Sequence, residues 1–395
     1  MRFGLDRMHR LMTVLGLPQR RFASIHVVGS NGKSSTVRFC AAILERHGLR
    51  TGSYTSPHLR SFRERIEVGE EAVPEPDFAA AVTRAAQAAE LVNRTAEADD
   101  HVTQFEALTA AAYHELARRG VEVAVIEAGL GGRFDATNVI PSKVQVLTSV
   151  SLEHTRWLGP TLEDIAAEKL AVVRDHGTLV VGELPAAVLE IAERTASDRH
   201  AALVTSEPSD LVLRAEGRFQ HVNFGLAAAA AEAFLGRSLN SVALKNAAAE
   251  TVVPGRLEVV DRAPLTLFDG AHNPSGANAL AASLPDVFGE RRPRIGVIGV
   301  LEDKDAAGML ETLLPHFERV VFTRPLNPRS LSPATLVTLA EKLGGPPAET
   351  VAEPRAALDR ARELAGADGA VLATGSIYLI ADLVREDADA RASTL

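Results

Sequence analysis

Val28, Gly29, Ser30, Asn31, Gly32, Lys33, Ser34, Ser35 is the stretch on which the reading of this chain turns. It follows an apolar strand-like run, Ile25 to Val28, and opens a segment in which Val37, Cys40, Ala41 and Leu44 recur with helical spacing and Gly48 sits at the capping position. A small-residue turn between a strand and a helix points backbone N–H groups at an anion. The helix N-terminus adds its positive dipole end, and Lys33 supplies a point charge for the outer phosphates. The stretch therefore implies binding of a nucleotide triphosphate. The common pattern GxxxxGK[ST] asks for glycine at position 27, where this chain has Val27, so its glycines lie closer together.

Working outward, the layout from Ile25 to about Ser206 alternates strand-like and helical patterns. The strand-like runs include Val121 to Ala128, Val144 to Val150, Thr178 to Val181 and Ala201 to Thr205. Between them, Gln104 to Arg119 carries Phe105, Leu108, Ala112 and Leu116 on one helical face and ends at Gly120. This is the order of a mostly parallel sheet covered by helices. Pro254 and Gly255 interrupt it. After about Arg262 a second alternation begins, with strands near Leu265 to Phe268, Ile295 to Val300, Val320 to Phe322 and Val371 to Ala373. Helical stretches near Gly276 to Leu284, Ala306 to Phe317, Pro333 to Leu343 and Arg355 to Leu364 separate them. The expectation is an α/β protein of two domains: residues 1–258 with the phosphate loop, and a smaller Rossmann-like domain over 259–390, hinged near 254–264. A site needing both halves would lie in the crevice between them. The alanine tract from Ala227 to Ala233 reads as a tightly packed helix.

Composition narrows the function. A formal net charge of −9 argues against nucleic acid as the main partner, and no run resembles a membrane span or signal peptide. The single cysteine, Cys40, lies on the apolar stripe of the first long helix, which leaves disulfides and thiol chemistry without support and points to the cytoplasm. With 46% hydrophobic residues the chain can fill sizeable cores, and only the tail after about Asp387 reads as unstructured.

Several residues beyond the loop could carry chemistry. Glu127 ends an apolar strand and precedes Ala128, Gly129, Leu130, Gly131, Gly132, Arg133, Phe134, Asp135, Ala136, Thr137, Asn138. A carboxylate at the carboxyl end of a parallel strand sits where such sheets bind ligands, which suits a magnesium ligand. His154 follows the next strand and could reach the same ion. Lys169, taken alone, reads as a solvated helix charge. Arg256 at the hinge could neutralise phosphate charge or form a structural ion pair, and Asp269, in Asp269, Gly270, Ala271, His272, Asn273, Pro274, could bond a ribose or orient a partner.

Taken together these motifs resemble the dihydrofolate synthase and folylpolyglutamate synthase family of the Mur ligase superfamily. The matches run in order along nearly the whole chain: Gly4 to Met8, His26 to Ser35, Thr55 to Leu59 with Glu64 to Ile66, Phe105 and Glu106, Glu127 to Asn138, and His154 to Lys169. They continue through Gln220 and Asn223, Pro254 to Glu258, Asp269 to Pro274, Leu301 to Asp305, and Gly375, Ser376 and Tyr378. The resemblance implies ATP-dependent amide formation. ATP phosphorylates a carboxylate of dihydropteroate or a reduced folate, and L-glutamate displaces the phosphate. Phosphoryl transfer needs mainly positioning and charge neutralisation, which a lysine, magnesium and an arginine can supply.

By position, the resemblance assigns Gly29, Ser30, Asn31, Gly32, Lys33, Ser34, Ser35, Asn223, Arg256, Asp269 and His272 to ATP, and Ser56, Glu127 and His154 to magnesium. Lys169 matches a lysine that is carbamylated in the family and would then help hold a second magnesium. Thr103, Phe134, Asp135, Ala136 and Ser376 fall on the substrate side, and Lys33, His154, Lys169 and Arg256 on the catalytic one. A cytoplasmic monomer is the expected form. Three features depart from the pattern: Glu153 replaces the usual Asp before the histidine, Arg2 and Phe3 stand where relatives carry a further N-terminal segment, and the stretch from Lys169 to Gln220 is short. They bear on the acceptor rather than on ATP. The alternatives are a Mur-type ligase acting on a cell-wall nucleotide or another carboxylate, and a non-enzymatic ATP-binding regulator.

Overall fold

A computed structural model describes residues 4–97 and 100–385. Arg2, Phe3, the tail expected after Asp387 and the last residues of the expected second domain lie outside these. The chain divides into two units. The first comprises the chain up to Pro57, Phe62–Val212 and His221–Thr251; the second takes His58–Ser61, Leu213–Gln220 and the chain from Val252. Two short segments expected within the first domain thus belong to the second unit, as do Gly255 and Arg256.

In the first unit, eight strands are described: β1 (Ala23–Val28), β2 (Thr51–Tyr54), β3 (Ile66–Val68), β4 (Glu71–Ala72), β5 (Val123–Glu127), β6 (Val144–Leu147), β7 (Thr178–Val181) and β8 (Ala202–Thr205). Their order is β4-β3-β2-β5-β1-β6-β7-β8. Pairing is parallel from β2 to β8, with β3 and β4 added antiparallel at one edge. The inner strands β1, β2, β5 and β6 are buried along nearly their whole length because helices cover both faces, and polar Ser24, His26 and Gln145 are buried with them. β1 lies at the centre, paired with β5 through Val27 and Glu127 and with β6 through Val28 and Leu147.

The helix after the phosphate loop spans Lys33–Arg46 and buries Val37, Cys40, Ala41 and Leu44, the stripe that its spacing predicts. Phe39 on the same helix packs edge-on against Phe224, with ring centroids 5.2 Å apart. Phe224 lies in the alanine-rich helix Arg218–Leu235, where Ala227, Ala230 and Ala231 are fully buried. The helix Gln104–Arg118 starts with a capping box: the Thr103 hydroxyl accepts from Glu106 N–H while the Glu106 carboxylate accepts from Thr103 N–H. Glu106 also takes a hydrogen bond from buried Arg7 at 3.0 Å, tying the helix Asp6–Val14 to this cap. Two of the quoted motifs, Gly4 to Met8 and Phe105 with Glu106, therefore meet in one ion pair.

The second unit holds β9 (Glu258–Arg262), β10 (Leu265–Phe268), β11 (Arg294–Ile298), β12 (Arg319–Phe322), β13 (Ala348–Thr350) and β14 (Ala370–Thr374), ordered β13-β12-β11-β14-β10-β9. All pairs are parallel except β9 with β10. β9 begins before Arg262, where the second alternation was expected to start. Its residues are half-buried or exposed, so the antiparallel edge strand lacks an apolar signature. The expected helix Gly276 to Leu284 is two, Pro274–Ala281 and Leu284–Phe288, broken around Ser283.

Candidate active site

The phosphate loop is built by strand β1 and braced by strand β6. Ser30 N–H donates to the Ser149 carbonyl at 2.8 Å, and Asn31 N–H to the Ser149 hydroxyl at 3.0 Å. Thr148 in turn donates to the Asn31 carbonyl at 2.6 Å. With the Ser30 and Asn31 amides engaged in the brace, the N–H groups aimed at an anion are those that open the helix, from Gly32 to Ser35. No side chain caps that helix. An uncapped N-terminus presents backbone donors and a positive dipole end together.

Two glycines are required here. At Gly29 an added Cβ would lie 1.9 Å from Thr148 Oγ1. At Gly32, with φ +88°, it would lie 2.3 Å from Asn223 Oδ1. The second contact also places Asn223 directly against the loop. Lys33 Nζ donates to the Gly29 carbonyl at 2.9 Å and the Ser30 carbonyl at 3.3 Å, folding back over the loop.

Glu127 ends β5 beside the loop and is 2% exposed. Its Oε1 accepts from the Ser34 hydroxyl at 3.0 Å and its Oε2 from the Ser56 N–H at 3.2 Å. A carboxylate and a hydroxyl at the foot of a phosphate cradle form the hard-oxygen donor set magnesium takes alongside phosphate and water. The structure brings Ser56 beside Glu127 through its backbone N–H. It adds Ser34, which the sequence had placed with the phosphates; its position directly after Lys33 was the available signal.

Lys169 belongs to a neighbouring cluster. Its Nζ, in a side chain only 2% exposed, donates to Glu153 Oε1 and to the Gly29 carbonyl, both at 2.9 Å. The solvated-lysine reading is thereby set aside. Burial alone would raise the Glu153 carboxyl, but Lys169, Lys33 and His154 overcome it and hold it at about 2. Burial lowers the Lys169 ammonium, with Lys33 adding to the effect and Glu153 opposing it. The carboxylate gains from the pairing while the ammonium is disfavoured by its site, as expected where desolvation offsets attraction. His154 is exposed, sits in left-handed backbone at φ +47°, and contributes to the field on Glu153.

The glycine-rich loop after β5 is organised by Asp135. Its buried carboxylate accepts from Leu130 N–H at 2.8 Å, from Thr137 N–H at 3.0 Å and from the Thr137 hydroxyl. Thr137 Oγ1 lies 2.8 Å from Nε2 of His26, a ring whose burial pushes its pKa down to about 3. Ala136 is buried as well, whereas Phe134 is 46% exposed. Gly132 lets the loop approach the helix Leu162–Leu170, since a Cβ there would sit 2.7 Å from the Lys169 carbonyl. Thr103 is occupied as the helix cap described above.

In the second unit Arg256 is half-buried and crosses Gly270, where an added Cβ would meet its Nη1 at 2.3 Å. Asp269 is fully buried and accepts from Leu257 N–H and Ala271 N–H, each at 2.8 Å, so its carboxylate fixes the turns that carry Arg256 and His272. Burial raises that carboxyl, and Arg256 opposes the shift. His272 Nδ1 lies 2.9 Å from the Gly270 carbonyl. Ser376 caps the helix Ile377–Val384 through Tyr378 N–H. Thr148, Ser149 and Glu153 are the members of these clusters that a residue-by-residue reading leaves without a role.

Residues 255–377, within the second unit, match the family model described as Mur ligase, glutamate ligase domain, so this part of the chain has the ligase domain of the Mur type. A curated relative, the dihydrofolate synthase/folylpolyglutamate synthase of Mycobacterium tuberculosis, is 36% identical over 402 residues, covering 91% of this chain and 82% of its own. The chain belongs to the dihydrofolate synthase/folylpolyglutamate synthase family. Among solved structures, Mycobacterium tuberculosis folylpolyglutamate synthase complexed with ADP superposes with a TM-score of 0.91 at 33% identity, covering 96% of this chain and 94% of that one. Escherichia coli FolC in complex with DHPP and ADP gives 0.84 at 29%, covering 96% and 92%. These relatives favour the folate branch over a cell-wall ligase or an ATP-binding regulator. Among the described residues no helix is long and apolar enough to cross a membrane.

Proposed function

We propose that this protein uses ATP to join L-glutamate to dihydropteroate, to the γ-carboxylate of reduced folates, or to both, acting as a cytoplasmic monomer. The observation that carries the reading is the meeting of Ser34, Ser56 and Glu127 beside the uncapped helix start at Lys33. In this reading the N–H groups from Gly32 to Ser35 bind the terminal phosphates, with Lys33 turning from its loop carbonyls to the outermost one. Ser34 and Glu127 hold magnesium, which supplies neutralisation of the charge that builds on the transferred phosphoryl group. An acceptor carboxylate oxygen attacks the γ-phosphorus and ADP leaves. The glutamate amine then attacks the acyl phosphate carbonyl, loses its proton, and expels phosphate.

Phe134 faces the pterin ring and Arg256 binds phosphate charge, its guanidinium positioned by the turn that Asp269 holds. His154 joins the metal side. Lys169, once carbamylated, gives up its bond to Glu153 and offers a carboxylate to a second ion. Phosphate release measured with ATP, magnesium, glutamate and either dihydropteroate or tetrahydrofolate tests the assignment. Glutamate-dependent release with at least one acceptor is expected. ATP binding without release in either mixture overturns it.

A further inference from the structure

Away from the nucleotide cluster, the structure brings two histidines and a carboxylate together on the surface. Asp175 and His176 lie just before β7, and His200 lies at the end of the loop leading into β8. One ligating atom from each falls within 4.8 Å of the other two. His200 Nδ1 is 3.2 Å from Asp175 Oδ1, and His176 Nε2 is 3.7 Å from Asp175 Oδ2. The two imidazole rings lie 5.4 Å apart between centroids, inclined by 30°. Two ligands of a tetrahedral zinc, each about 2.0–2.1 Å from the ion, are separated by roughly 3.3 Å, so small side-chain rotations would close this triplet on a metal.

The backbone holds the triplet in register. His176 N–H donates to the Arg199 carbonyl at 2.9 Å, His200 N–H to the Ser197 carbonyl at 3.1 Å, and Ala202 N–H to the Gly177 carbonyl at 3.0 Å. The two loops are therefore laced together before the side chains meet. All three side chains are more than 60% exposed, leaving room for water to complete a coordination sphere. The cluster precedes its strands, whereas Glu127 ends its strand and Ser149 follows its own, which puts the two at opposite ends of the parallel sheet.

We propose that Asp175, His176 and His200 form a binding site for a divalent transition cation of the zinc class, separate from the magnesium site of the ligase. Imidazole donors select zinc, nickel or copper over magnesium and calcium, which prefer an all-oxygen shell. A bound ion would clip the loop before β7 to the loop before β8, the edge strand of the sheet, and stabilise that edge by mass action.

The test is a zinc sulfate titration of metal-free, tag-free full-length protein by calorimetry, with a large excess of magnesium throughout to cover the ligase site. The wild type is expected to bind one more zinc equivalent than the H176A/H200A variant, and each single histidine variant to bind it at least about tenfold more weakly. Zinc should raise the melting temperature of the wild type and leave that of the double variant unmoved. Because these side chains are exposed, the double variant is expected to fold and to bind ADP like the wild type, checked by circular dichroism and an ADP titration. Equal zinc stoichiometry and affinity in the wild type and the double variant, or no zinc uptake by the wild type at tens of micromolar, overturns the proposal.

Discussion

Glu153→Gln removes the carboxylate that faces the buried Lys169 ammonium while leaving the side chain's size unchanged. Lys169 then keeps only neutral acceptors, the Gly29 carbonyl and the glutamine amide oxygen, with Lys33 as a neighbouring like charge. Breaking a buried pair from one side costs about 3 kcal/mol, which for a unit of this size lowers its melting temperature by roughly 6–12 °C. Lys169→Met is expected to cost less, because Lys33 and His154 still face the remaining carboxylate. The double variant carries no unpaired charge and should be no less stable than Glu153→Gln alone, a coupling of about 2 kcal/mol. The pH profile adds a second signature. The folded-state Glu153 carboxyl is held at about 2 against an ordinary 4.5, so its contribution is fully present above pH 4.5 and is lost as pH falls toward 2. In Lys169→Met that loss moves to higher pH. Urea unfolding followed by fluorescence of Trp157, the single tryptophan, reads this unit directly. Losses that add to within about 0.5 kcal/mol would refute the account of the pair.

Glu127→Gln should lower glutamate ligation by about 100-fold at fixed magnesium and recover in part as magnesium or manganese is raised; an unchanged metal dependence in steady-state assays would remove Glu127 from the metal site. Gly32→Ala, which places a Cβ against Asn223 Oδ1 at a positive φ, is expected to destabilise the protein by about 1–3 kcal/mol and to weaken ADP binding, measured by denaturation and calorimetry. Thr103→Ala should cost about 1 kcal/mol through the lost cap, while Thr103→Ser retains both stability and the KM for the pterin substrate. A rise in that KM for Thr103→Ser would mean that the methyl group touches substrate.

The parts of this architecture legible in the sequence are those whose signal is local. The strand, turn and helix around Gly29 to Lys33 announce themselves through an apolar run, small residues and a helical stripe, and the strands Thr178–Val181 and Leu265–Phe268 through short runs rich in apolar and β-branched residues. Thr51–Tyr54 gave no such sign: Thr-Gly-Ser-Tyr becomes a strand through its pairing with β3 and β5. The site divides in the same way. Glu127 could be found because it ends an apolar strand, but its Ser34 contact needs β5 to lie beside β1. Thr148 and Ser149 brace the loop only because β6 is the other neighbour. Asp135 and Asp269 look like ligand-binding carboxylates by residue type and position, and only the fold shows that they also accept from backbone N–H groups, those of Leu130 and Thr137 for Asp135 and those of Leu257 and Ala271 for Asp269. A sequence gives the acid, whereas the partner depends on the fold.

The three strands that meet at the nucleotide cluster also set when it can exist. Val27 pairs with Glu127 and Val28 with Leu147, and Gly32 rests against Asn223, so the cradle is assembled from segments far apart in the sequence. A chain emerging from the ribosome holds the whole glycine loop early, but without Ser149 it has no brace, and without Asn223 no wall behind Gly32. Capacity to hold ATP should therefore arrive abruptly with the closing of the central sheet, which makes nucleotide binding a gauge of completed synthesis of the first unit.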